Sequence, residues 1–109
     1  MRVQFAARRC SVPDSIRERA EELVGALSRF DGRMSSADVV FEEDKRVQKV
    51  EVILHIDGAS PVVASAEDGE FRVALDRVVD RAARMLRRAR SRASDHKAPS
   101  VSSRGDLPE

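Results

Sequence analysis

Tryptophan and tyrosine are absent from the 109-residue chain, and four phenylalanines are its only aromatics. Proteins that grip single-stranded nucleic acid usually display rings on which bases stack. Phe5, Phe30, Phe41 and Phe71 fall mostly at core-facing positions, so the sequence offers no ring for that purpose. A lone cysteine, Cys10, excludes an internal disulfide and points to a reducing compartment. No apolar run approaches the roughly 20 residues of a membrane helix. Met1-Arg2-Val3-Gln4-Phe5 also lacks the apolar stretch and cleavage site of a secretory signal. The expectation is a cytoplasmic protein with no membrane partner.

The residues that carry catalysis are equally scarce. There is no Cys/His pair at metal spacing, no Gly-rich phosphate loop and no nucleophile elbow. Of two histidines, His55 sits on the outward side of a strand pattern and His96 lies near the C-terminus. Arg8-Arg9 before Cys10 would favour its thiolate somewhat. Asp76 and Asp80 are one helical turn apart, with Arg77 and Arg81 beside them, and read as surface charge pairing. These observations predict no enzymatic activity, no metal and no cofactor.

Charge is what the chain has in quantity: 36% of its residues are charged, yet its formal net charge is only +1. The distribution is uneven. Residues 81–97 hold seven basic side chains against the single acid Asp95, a net of six, which leaves the remainder five negative. A basic segment on an acidic body suggests a local surface for a polyanion.

Periodicity supplies the scaffold. Val3, Phe5 and Ala7 alternate as in a half-buried strand. Ser11-Val12-Pro13-Asp14 offers a helix start, either as a capping box from Ser11 or with Asp14 as the cap. Ile16, Ala20, Leu23, Val24 and Leu27 then share one face of a helix running to about Arg29, and Asp31-Gly32 ends it. Residues 36–45 alternate again, with Ala37, Val39 and Phe41 on one side. The polar connection Glu43-Asp44-Lys45-Arg46 leads into a strand over 47–57, which turns at Asp57-Gly58. A shorter strand follows over 61–67, and a second helix runs from Glu67-Asp68-Gly69-Glu70 to about Arg92. Its apolar stripe includes Phe71, Leu75, Val78, Ala82 and Leu86. From Ser94 the composition predicts a disordered tail. The expected architecture is α+β in the order β-α-β-β-β-α: a four-stranded sheet with both helices on one face, a domain over 1–93 and a tail over 94–109.

Plotted at about 100° per residue, Arg77, Arg81, Arg84, Arg88 and Arg92 fall within about 80° of one another, away from the apolar stripe. The row spans roughly 22 Å. Asp76 and Asp80 project on another side and are not expected to neutralise it. Arg87 and Arg90 add charge elsewhere on the last turns. Guanidinium is permanently charged, and its planar fork matches two phosphate oxygens, so the row suits a phosphate backbone. Without displayed aromatics, recognition should be of folded RNA by shape and charge.

Several segments together resemble the ribosome hibernation-promoting factor and protein Y family. They are Lys49-Val50-Glu51-Val52-Ile53-Leu54-His55-Ile56-Asp57-Gly58, Ala64-Ser65-Ala66-Glu67-Asp68, and Ala74-Leu75-Asp76-Arg77-Val78-Val79-Asp80-Arg81 with Leu86-Arg87-Arg88. Ile16-Arg17-Glu18 through Glu21-Glu22-Leu23 fits as well, so the likeness covers about residues 2–93. It implies a fold related to double-stranded-RNA-binding domains and a site in the small-subunit channel for messenger and transfer RNA. Translation would be silenced there by steric occlusion. The implied partners are the small ribosomal subunit with its ribosomal RNA and the intact ribosome, with the free protein a monomer. By position, the implied RNA contacts are Arg8, Lys45, Arg46, Lys49, Arg81, Arg84, Arg87, Arg88 and Arg90, to which the helical row adds Arg77 and Arg92. Arg72 and Met85 stand where family members often carry Tyr and Gln, and the chain is too short for the dimerising domain of long-form members. Two other readings are a generic structured-RNA-binding module and a protein-interaction domain that uses its basic helix.

Overall fold

The computed structural model describes residues 1–97, with side-chain surroundings to residue 89. Its elements are β1 (Arg2–Arg8), α1 (Asp14–Ala26), a 3-10 turn (Leu27–Phe30), β2 (Met34–Asp44), β3 (Val47–Ile56), β4 (Val62–Asp68) and α2 (Phe71–Lys97). The four strands form one sheet in the order β1-β2-β3-β4. β1 pairs with β2 in parallel, and β2-β3 and β3-β4 pair antiparallel. This is the expected α+β architecture. A parallel pair needs a crossover, which α1 supplies, whereas the antiparallel pairs close with short turns.

The period of two in the strands decides which face is covered. Ala37, Val39 and Phe41 of β2, Val50, Val52, Leu54 and Ile56 of β3, and Val62, Ala64 and Ala66 of β4 are all buried. They share one cluster with Ala20 and Val24 of α1 and with Phe71, Ala74, Leu75, Val78, Ala82 and Leu86 of α2, so both helices cover the same face. Burying a side chain of Leu, Val or Phe size contributes about 1.5–3 kcal/mol, and this cluster holds the domain together. Phe41 anchors its centre, edge-on to Phe71 at 5.4 Å and stacked with Phe5 at 6.4 Å.

Three local expectations change. The cap of α1 is Pro13, and no side chain bonds the helix start. Ser11 is too far from the first turn for a capping box, and Asp14 is the first helical residue, its carboxylate held by Arg17. The helix tightens into the 3-10 turn before ending, which satisfies terminal carbonyls that an α-turn would leave open. α2 continues to Lys97, five residues past Arg92. Ser94-Asp95-His96-Lys97 contains no breaker; the first is Pro99, whose preceding residue disfavours helix. The rest of the segment expected as a tail lies outside the described residues.

The β2–β3 connection is tighter than the sequence implies. Only Lys45 and Arg46 lie between the strands, with φ of 48° and 71°. A two-residue hairpin of type I′ requires positive φ at both positions, which costs non-glycine residues strain. Two basic side chains are thereby held at the tip of the sheet.

Candidate nucleic-acid interface

α2 lies against the core through its Phe71–Leu75–Val78–Leu86 stripe, which turns the arginine row outward. Arg77, Arg81, Arg84 and Arg88 are exposed, Arg77 and Arg84 at 58% and 55% of their side-chain area. These four arginines are therefore not buried against the protein. They are, however, partly engaged. Arg81 Nη1 donates to the Ser65 carbonyl at 2.6 Å, and Arg77 Nη1 to the Glu67 carbonyl at 3.5 Å. Both carbonyls belong to β4, an edge strand, so these guanidiniums cover backbone groups that would otherwise offer a pairing template. Arg77 also lies 3.5 Å from Asp68.

The expectation that Asp76 and Asp80 leave the row untouched needs correction. Asp80 reaches Arg84 at 3.2 Å, because residues four apart on a helix are neighbours whatever their nominal angle. Asp76 instead takes two hydrogen bonds from Arg19 of α1, at 3.0 and 3.2 Å, a planar pairing that ties the helices together. Sequence reading missed that cross-link, since nothing local marks a pairing 57 residues apart. Arg88 makes no ion pair among the described residues. Arg90 and Arg92 continue the helix backbone, and their side chains lie outside the described ones.

The remaining expected contacts gather at the other end of the sheet. Arg8 closes β1 in register with Glu42, and Lys45 and Arg46 form the exposed hairpin tip. Lys49 is half-buried on the open face, in register with Glu42 on one side and Glu67 on the other. The bonds from Arg77 and Arg81 run α2 back along β4, so the hairpin sits by its first turns and Arg88 lies toward the opposite end. Arg77, bonded at Glu67 in register with Lys49, brings the first arginine of the row to the hairpin end of the sheet.

Arg87 has a separate role. Its guanidinium lies 5.5 Å from the centroid of the Phe30 ring, and that of Arg29 lies 5.7 Å from it. Phe30 is only half-buried, as is Phe5, so the expectation that the phenylalanines face the core holds fully for Phe41 and Phe71 alone. The 3-10 turn ends at Phe30 and carries it to the edge of the core, where helical periodicity would have placed it inward.

Two expectations about chemistry also resolve. Cys10 is half-buried, and its Sγ lies 3.7 Å from the Phe41 carbonyl. Burial first, with Glu43 and Glu42 adding to it, outweighs a hydrogen bond from the Arg8 backbone and pushes the thiol above the usual range, so the activation expected from Arg8-Arg9 does not prevail. His55 Nε2 pairs with Asp38 at 2.8 Å across the open face of the sheet. Among the described residues, no group of three or more His, Cys, Asp or Glu is placed to hold a metal, and no helix is long and apolar enough to cross a membrane.

The fold and the site define a class: an α+β domain with a mixed four-stranded sheet, two helices on one face and an exposed basic ridge. The family model described as Sigma 54 modulation protein / S30EA ribosomal protein matches residues 3–94, and the chain belongs to that family. The Azotobacter vinelandii ribosome hibernation promoting factor is 35% identical over 86 residues, 79% of each chain. The Pseudomonas putida ribosome hibernation promoting factor is 32% identical over 89 residues, 81% of this chain and 85% of that one. Among solved structures, the N-terminal domain of Thermus thermophilus Protein Y superposes with a TM-score of 0.73 at 26% identity, covering 82% of this chain and 99% of that one. A ribosomal subunit interface protein from Coxiella burnetii superposes at 0.74 with 18% identity, covering 84% and 99%, a likeness of fold alone.

Proposed function

We propose that this chain is a cytoplasmic ribosome hibernation factor. It binds the small ribosomal subunit in the channel for messenger and transfer RNA and blocks translation by occupying that space, without chemistry. Membership of the family and relatives bearing the name ribosome hibernation promoting factor support this reading. The observation that carries it on this chain is the exposed arginine row of α2. Arg77, Arg81, Arg84, Arg88 and Arg92 would meet ribosomal RNA phosphates along one side, with Arg87 and Arg90 beside them. Arg8, Lys45, Arg46 and Lys49 would meet RNA from the sheet end. The exposed Arg84–Asp80 pair is weak and readily exchanged for a phosphate.

The test is sedimentation of the protein with purified small subunits and intact ribosomes. The double variant Arg84→Glu/Arg88→Glu should lose co-sedimentation while circular dichroism stays unchanged, since neither side chain contributes to the core. Undiminished binding by that variant would remove the row from the interface. A generic RNA module would bind a plain duplex as tightly as it binds ribosomes. A protein-interaction domain would keep its partner after ribonuclease treatment.

A further inference from the structure

The two edges of the sheet differ. On β4, Arg77 and Arg81 bond the carbonyls of Glu67 and Ser65. On β1, the other edge, no hydrogen bond from outside the sheet reaches the backbone of residues 2–7 among the described residues. Its outer row of N–H and C=O groups is open along the strand, and such a row accepts one more strand.

The core layer is open at the same place. Val3, Phe5 and Ala7 stand in register with Ala37, Val39 and Phe41 of β2. The β2 residues are fully buried, whereas Val3 and Phe5 are half-buried and Ala7 is exposed. Beside them lies an open groove of about 300 Å³, lined by Phe5, Ala7, Cys10, Val12 and Arg17. A strand added here would set its inward side chains next to Val3, Phe5 and Ala7 and over this groove.

Charge selects the occupant. Arg2 and Arg8 end the strand on its open-face side, and Arg9 follows. All three are exposed and have no ion pair among the described residues. Arg8 lies opposite Glu42, but Arg2 lies opposite Ser36 and has no acid beside it in the sheet. A second copy pairing antiparallel about Phe5 would set each Arg2 opposite the other copy's Arg8, and like charges directly opposite destabilise a strand pair. RNA would meet the arginines, but phosphate oxygens only accept hydrogen bonds. They cannot answer a row that alternates donors with acceptors, nor fill an apolar groove.

We propose that β1 takes up an extended acidic protein segment as a fifth strand, its apolar side chains alternating toward the core layer and its carboxylates opposite Arg2 and Arg8. The inference does not rest on the ribosome reading. β1 lies three strands, roughly 14 Å, from β4, on which the first arginines of the α2 row are anchored, so occupation of that row leaves this edge free.

The probe is a fluorescein-labelled peptide, Glu-Val-Thr-Val-Thr-Val-Glu, capped at both ends. Companion peptides carry Lys in place of both Glu, or N-methyl groups on one or the other alternate set of amides. Fluorescence anisotropy should show the Glu-ended peptide binding about fivefold more tightly than the Lys-ended one. Arg2→Glu, at an exposed position, should remove that preference without changing Tm. N-methylation of one alternate set should abolish binding and of the other leave it intact, because the hydrogen bonds of a strand pair recur every second residue along one edge. Amide hydrogen exchange should slow in β1 when the peptide binds. Failure of the Glu-ended peptide to bind, equal effects of the two N-methylated sets, or protection confined to another strand would overturn the proposal. So would protection of β1 by an RNA hairpin instead of the peptide. A dimer of the protein alone that protects β1 would assign the edge to a second copy and overturn it equally.

Discussion

Asp31 shows how much one side chain settles. It is buried to 5% exposure, and its carboxylate receives the Arg33 backbone N–H at 3.0 Å and the Arg33 guanidinium at 3.1 and 2.9 Å. It fixes the exit from the 3-10 turn into β2, and so the position of Phe30 one residue before it. Asp31→Ala should cost about 1 kcal/mol or more, read as a fall of about 4–8 °C in Tm per kcal/mol in a thermal melt. Cys10 gives a pH-dependent counterpart. Its thiol is raised above the ordinary 9.0, mainly by burial. Alkylation by iodoacetamide should therefore reach half its limiting rate at a higher pH than for an unfolded peptide containing the same residue. Because the folded thiol titrates higher, its contribution to stability is complete below the ordinary thiol pKa and fades as pH rises through the shifted one. A rate profile matching that of the unfolded peptide would contradict the burial.

At the scale of elements, the β2–β3 hairpin and α2 each combine a structural demand with a basic surface. Lys45 and Arg46 occupy left-handed backbone that Asn and Gly adopt at lower cost. The double variant Lys45→Asn/Arg46→Gly should raise stability by about 1–2 kcal/mol of relieved strain per residue at most, read as a higher Tm. It should weaken ribosome binding if these charges touch RNA, and the two measurements together separate strain from contact. On α2 the arginines divide in the same way. Arg81 is anchored to the Ser65 carbonyl, whereas Arg88 has no ion-pair partner among the described residues. Arg88→Ala should therefore reduce ribosome binding more than it affects stability. Arg81→Ala should also expose the β4 edge, detectable as a greater tendency to self-associate in analytical ultracentrifugation.

For the whole molecule the governing feature is charge asymmetry on a nearly neutral chain. The body repels a polyanion weakly while one ridge attracts it, which orients the encounter as well as stabilising the complex. If about six phosphates are contacted, affinity for ribosomes should fall roughly a thousandfold between 50 and 200 mM salt, by analogy with duplex DNA. A shallow salt dependence in a binding titration would show that few of the arginines meet phosphate.

The sequence alone determined the architecture and the basic ridge, because both follow from short-range periodicity. A period of two placed Val50, Val52, Leu54 and Ile56 inside, and the helical period placed Leu75, Val78 and Leu86 against them and the arginines opposite. Tertiary structure alone decided how those charges are used. The Arg19–Asp76 tie, the anchoring of Arg77 and Arg81 on β4, and the meeting of Arg29 and Arg87 at Phe30 all join residues distant in sequence. Periodicity assigns a side chain to a face, but a long flexible guanidinium on that face goes to whichever acceptor or ring the packing brings within reach, and only the packed molecule fixes which one that is.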